Sequence, residues 1–290
     1  MKIAILGAGA LGRVYGLRLA QAHDVTFVIK KTHEPEPFQI ERVDSDESHT
    51  LEEPVCAHAV PADANVVLVC VRADQLDDAL RDLARPAVLL TPLMPSDWAR
   101  LESIHGDKLI AGMPGVVAYT ADSGAVRYWL PRSAKTLVES QGTVVEELEA
   151  ALDAVGISTN REAGVQQTNA ATTITFLPLT MAIAVAGSVN ALLDDDALTE
   201  LGLRAAEEGM AVAEGVGTAA SWAPMLVKFL SPSVLKMGVA LAPSESLKYV
   251  DENFGSKLRV QAKVMGAKLG ELAAAKKLPH EAIDALQARL

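Results

Sequence analysis

Cysteine, aromatic residues and basic stretches are all scarce in this 290-residue sequence. The two cysteines, Cys56 and Cys70, sit in apolar surroundings with no C-x-x-C pair and no Cys/His cluster. That excludes a disulfide scaffold and structural zinc, and no metal site is expected. Lys and Arg number 26 against 37 Asp and Glu, a formal net charge of -11. Such a surface repels phosphodiester backbones, so nucleic acid is not an expected partner. An anionic cofactor stays open, because a helix N-terminus and a few placed cations make a local positive field inside a negative whole. A strained nucleophile turn for Ser-His-Asp chemistry is missing, and His58, His105 and His280 have no recognisable partner spacing. The opening Met1-Lys2-Ile3-Ala4-Ile5-Leu6 is broken at once by glycines. It reads as a first strand rather than an export signal, and a cytoplasmic location is expected. Residues 163–193 lack charge altogether, a length that could cross a bilayer at about 20 residues per span. Gln166, Gln167, Asn169, a run of threonines and Pro178 make its first half too polar for lipid. A buried helix is expected there instead, with no membrane partner; from Ile174 on it reads either as core or as the seam of a homodimer.

What is present is apolar material in quantity. Hydrophobic residues make up 50% of the chain and charged ones 22%, enough for two cores. The first half alternates short β-rich runs with helical spacing. Ile3-Ala4-Ile5-Leu6, residues 25–29, 66–71 and 87–90 read as strands, with helical patterns over 11–20 and 75–83. The uninterrupted run Val66-Val67-Leu68-Val69-Cys70-Val71 is that of a strand buried on both faces of a parallel sheet. Residues 31–54 are polar, acidic and carry Pro35 and Pro37, which predicts an irregular excursion with at most short strands. Over 112–137 a turn near Asp122-Ser123-Gly124 between β-rich runs predicts an antiparallel pair closing the sheet. Strand signals end near residue 160. The fold class expected is an α/β N-terminal Rossmann domain with a doubly wound, mostly parallel sheet (1–162), followed by an all-α C-terminal domain (163–290) for substrate binding or dimerisation.

The loop Gly7-Ala8-Gly9-Ala10-Leu11-Gly12 has G-x-G-x-x-G form, follows the first strand and opens the first helix. In that setting Gly7 permits the tight turn, Gly9 clears space for pyrophosphate, and Gly12 lets helix and strand approach. The helix N-terminus offers N–H groups to phosphate. After the second strand, where NAD-preferring sites carry a ribose-binding carboxylate, stand Lys30 and Lys31. A cation suits a 2'-phosphate, so NADP(H) is the expected cofactor; two solvated surface lysines are the plain alternative. The same cations argue against S-adenosylmethionine on this turn. Arg72, just past the buried strand, either reaches cofactor phosphate or ribose, or pairs with Asp74, Asp77 or Asp78.

These residues resemble the ketopantoate reductase family. The resemblance rests on the start from Ile5 to Gly12, on Arg72-Ala73-Asp74-Gln75, on Gly112-Met113-Pro114-Gly115-Val116 and on Pro178-Leu179-Thr180 in the long apolar helix. It implies NADPH-dependent reduction of a 2-oxo acid bound between a Rossmann and a helical domain. It also implies a lysine near the start of the long helix, an asparagine one turn later, a second asparagine after a central strand and a late glutamate. Register on Pro178 puts Asn169 and Thr173 at the first two positions and Leu93 near the third, and no match for the glutamate is found. The chain is therefore identified as a divergent member lacking the usual catalytic residues, and ketopantoate itself is not the expected substrate.

A replacement is sought in Asn253, Lys257 and Gln261, spaced four apart as neighbours on one helix face. Hydride delivery to a carbonyl or imine needs a proton donor, a role open to a desolvated lysine. A solvated polar face is the competing reading. The expected activity is NADP(H)-dependent reduction of a small, carboxylated carbonyl or imine compound, the alternative being a non-catalytic NADP(H)-binding module.

Overall fold

Ile3, Ala4, Ile5 and Leu6 are all buried in strand β1 (Lys2–Leu6), which has a neighbouring strand on each side. It pairs in parallel with β2 (Asp24–Val28) and β6 (Val66–Val69). The computed structural model describes the chain apart from residues 33–34, 132–133, 140–141, 220–222, 229, 243 and 256–258, and describes only the backbone of 226, 228 and 254. Beyond β6 come β7 (Ala87–Leu89) and β8 (Leu109–Met113), also parallel, and on the far side of β2 lies the short parallel β5 (Cys56–Ala57). β11 (Thr136–Glu139) joins β8 antiparallel, and β12 (Thr159–Glu162) joins β11 in parallel. The eight-stranded order β12-β11-β8-β7-β6-β1-β2-β5 contains the doubly wound arrangement in which the chain reverses direction between β1 and β6. The sheet is therefore mostly parallel, as its apolar strands require.

One expectation is met in more detail and another needs correction. Residues 31–54 hold the short strands that the reading allowed: β3 (Phe38–Arg42) and β4 (Ser48–Leu51) form an antiparallel pair. The signal was the alternation of buried Phe38 and Ile40 with exposed Gln39, outweighed in composition by the surrounding charge. The antiparallel pair β9 (Val117–Thr120) and β10 (Val126–Trp129) forms as expected but does not close the main sheet; β10 pairs in parallel with β3 and makes a separate four-stranded sheet, β4-β3-β10-β9. Phe38, Ile40, Val126 and Tyr128 from it share a core with Val14, Tyr15 and Leu17 of α1 (Ala10–Leu19). Arg18, buried within α1, donates to the Val155 carbonyl at 2.9 Å and pairs with Glu47 of β4's approach.

Contacts divide the chain into two compact units, one of Met1–Thr91 with Ala99–Gln166, the other of Pro92–Trp98 with Gln167–Leu290. The second is helical. Its central α5 (Val165–Ala186) is, among the described residues, the one helix long and apolar enough to cross a membrane, and 67% of its most apolar window is buried inside the protein, as befits a core helix. Pro178 inside α5 cannot donate to the Ile174 carbonyl four residues back, which loosens that turn. Gly209 of α7 (Asp196–Glu214) packs there, so closely that a Cβ would lie 3.0 Å from the Ile174 oxygen and 2.9 Å from the proline ring. Glu208, next in α7, accepts from the Ala282 and Ile283 N–H groups at 3.0 Å and caps α12 (Glu281–Gln287).

Candidate functional site

The carboxyl ends of β1 and β6, where the strand order reverses, are the ligand crevice of such a sheet. Gly7 leaves β1 with φ +103, and a Cβ there would press on Val71 at 2.8 Å. Gly12 is tighter still, its notional Cβ 1.9 Å from the Gly7 carbonyl oxygen. Four residues on, Gly16 lies flat against Phe27 of β2, a Cβ there meeting the ring at 2.3 Å. These glycines are set by protein atoms. Gly9 differs: it is exposed, and a Cβ on it would meet no described atom within 4 Å. Gly9 is also the N-cap of α1, whose first turn has no acidic residue and no capping side chain among the described residues. Ala10, Leu11 and Gly12 thus begin a helix whose leading N–H groups have no side-chain acceptor, the arrangement that receives phosphate oxygens.

Arg13, which the sequence reading did not single out, shapes this loop. Its Nε donates to the Ala8 carbonyl at 3.0 Å, its guanidinium pairs with Glu36 at 2.8 Å and lies 4.4 Å above the Phe38 ring. The pairing ties the stretch after β2 to the glycine loop. An arginine following the last glycine of the motif was the available signal, though its partners come from a segment read as irregular. Lys30 and Lys31 lie just past β2 and are exposed. Arg72 is exposed and holds Asp74 through two hydrogen bonds of 3.0 and 3.1 Å, the ion pair anticipated as its alternative role. An exposed pair of this kind is worth about 0–1 kcal/mol, small enough for an incoming phosphate to displace. Desolvation pushes the neighbouring Cys70 thiol up to about 12, so it stays protonated at neutral pH and offers no nucleophile.

In the helical unit, Asn169 is buried in α5 and accepts from the Thr173 hydroxyl at 3.2 Å. The two residues that register on Pro178 sets against the lysine and first asparagine implied by the resemblance therefore bond to each other. Leu93 is buried and apolar. The proposed trio does not share one helix: Asn253 ends α10 (Ser244–Phe254), Gln261 lies in α11 (Arg259–Ala275), and Lys257 is outside the described residues. Gly255, buried just after α10, packs so closely that a Cβ there would sit 2.8 Å from the Gly187 carbonyl oxygen. Asn253 donates to the Tyr249 carbonyl at 3.0 Å, and desolvation pushes the Tyr249 phenol up to about 12. Within the same unit buried Asp97 pairs with Lys268 of α11, residues 171 apart in sequence and beyond the reach of any local pattern. No metal-binding group of His, Cys, Asp or Glu occurs among the described residues.

Residues 3–89 match the family described as ketopantoate reductase PanE/ApbA, bearing out the resemblance over the glycine loop and the first strands. No curated protein matches the chain. Among solved structures, a 2-dehydropantoate 2-reductase from Geobacter metallireducens is 20% identical with a TM-score of 0.74, over 100% of this chain and 99% of its own. A dimeric ketopantoate reductase from Staphylococcus aureus is 15% identical with a TM-score of 0.69, over 99% and 96%. A D-mandelate dehydrogenase, in ternary structure with NADH and anilino(oxo)acetate, is 15% identical with a TM-score of 0.72, over 100% and 97%. The two-unit fold is thus the fold of these proteins along essentially its whole length.

Proposed function

We propose that this protein is an NADP(H)-dependent oxidoreductase that reduces the carbonyl or imine of a small metabolite of the 2-oxo acid class, other than ketopantoate. The observation that carries this reading is the clear space over Gly9 at the N-terminus of α1, beside glycines that protein atoms alone would explain. Residues 7–12 would hold the pyrophosphate through backbone N–H groups, Lys30 and Lys31 the 2'-phosphate, and Arg72 a ribose or phosphate oxygen after releasing Asp74. When bound, the nicotinamide supplies the hydride. The chain's own residues then have two tasks: orienting the carbonyl or imine and delivering a proton to the developing anion. We assign the proton to Lys257 and the orientation to Asn253 and Gln261. The D-mandelate dehydrogenase supports a 2-oxo acid in this fold, and the Staphylococcus aureus enzyme supports a homodimer.

Purified protein mixed with NADPH and a panel of 2-oxo acids, aldehydes and imines tests the activity. The expected result is NADPH consumption with a 2-oxo acid, lost in Lys257→Ala while cofactor affinity is kept. Tight NADPH binding with no turnover on any panel member would instead favour a non-catalytic binding module, a reading that the mutual Asn169–Thr173 hydrogen bond supports.

A further inference from the structure

Strand β5 places one more side chain at the end of β2. Ala57 lies opposite Val28 in the parallel register, and the Ile29 N–H donates to the Ala57 carbonyl at 2.9 Å. His58 therefore leaves β5 at the carboxyl end of the sheet, beside the turn that carries Lys30 and Lys31. It is exposed, and its Nδ1 lies 3.3 Å from the Ile29 carbonyl oxygen. A carbonyl oxygen can only accept, so Nδ1 must carry the hydrogen. The consequence falls on Nε2. In the neutral ring Nε2 is a bare acceptor, and in the protonated ring it is a donor.

The two nicotinamide cofactors differ at one place, and they differ there in this property. A ribose 2'-hydroxyl can donate to a bare Nε2, whereas a 2'-phosphate dianion can only accept. Resting on the cofactor reading above, we propose that His58 is a cofactor-selecting residue at the adenosine 2' position. Its neutral ring accepts from the hydroxyl of NAD(H), and its protonated ring donates to the phosphate of NADP(H). Among the described residues, Lys30 and Lys31 follow β2, Glu36 lies further along that stretch, and Cys56 opens the strand that His58 leaves. Glu36 is engaged by Arg13, and burial pushes the Cys56 thiol up. Histidine changes charge between about pH 5 and 8, and the preference for NADP(H) over NAD(H) rises as pH falls through that window.

Dissociation constants for NADP+ and NAD+, both stable in mild acid, test this when measured from pH 6 to 8.5 at fixed ionic strength on the intact chain. The 2'-phosphate itself titrates near pH 6, so His58→Gln serves as the reference that keeps phosphate titration and removes the ring. In the native protein the NADP+/NAD+ preference should be about tenfold greater at the acid end than at the alkaline end. In His58→Gln it should be flat or fall toward acid, and in His58→Arg it should stay high throughout. The same pH dependence in native protein and His58→Gln overturns the role of His58 and leaves the cofactor reading intact. Failure of both nucleotides to bind overturns the cofactor reading, and this inference with it.

Discussion

Glycines serve close approach in both halves of this protein, whereas Gly9 of the glycine loop has no described atom within 4 Å of a notional Cβ. Gly12 abuts the Gly7 carbonyl, Gly202 abuts Ala182, and Gly209 abuts Pro178 and the Ile174 carbonyl; each is small because protein occupies the space. Gly9 is small beside open space. In the helical unit, by contrast, the two residues that register on Pro178 sets against the lysine and first asparagine of the resemblance, Asn169 and Thr173, share a hydrogen bond.

Substitutions can break this contrast in order of expected effect. Gly12→Val drives a side chain into the backbone of its own loop, and should cost more than about 4 kcal/mol, seen as a lost cooperative transition in denaturant. Retention of a native-like transition would mean that the loop yields easily and that its glycines carry less meaning than we give them. Lys268→Met removes the cation facing buried Asp97 in the helical unit and should cost about 2 kcal/mol, read from the urea midpoint, with NADPH affinity unchanged. A drop in NADPH affinity instead would show that the two halves are not separable. Gly9→Val should invert that pattern. Stability should stay within about 0.5 kcal/mol, while cofactor affinity falls at least about tenfold. The smallest effects belong to Lys30→Ala and Lys31→Ala, each expected to weaken NADPH about fivefold and leave NADH unchanged; equal losses for both cofactors would defeat the phosphate assignment.

The same contrast governs what could be read in advance. The glycine loop, β1, β2 and β6 are written in contiguous residues, because a parallel strand buried on both faces must be an unbroken apolar run and the turn after it must be glycine. The second sheet was less legible: Phe38 and Ile40 alternate correctly, but the charges around them serve Arg13, Arg18 and Arg42, partners set by tertiary structure. Arg72 shows a limit of another kind, since its ion pair with Asp74 and a phosphate contact need the same residues at the same place. In the helical unit, spacing by four suggested one face for Asn253, Lys257 and Gln261, but Asn253 lies in α10 and Gln261 in α11. Periodicity cannot see what tertiary structure sets. The Asp97–Lys268 pair was invisible for the same reason.

Parallel titration of the purified chain with NADPH and NADH tests the central claim most directly. Our account predicts saturable binding of both, with NADPH tighter by about tenfold or more, the factor expected for a 2'-phosphate held by two cations. No binding of either nucleotide, or equal affinity for both, would contradict it.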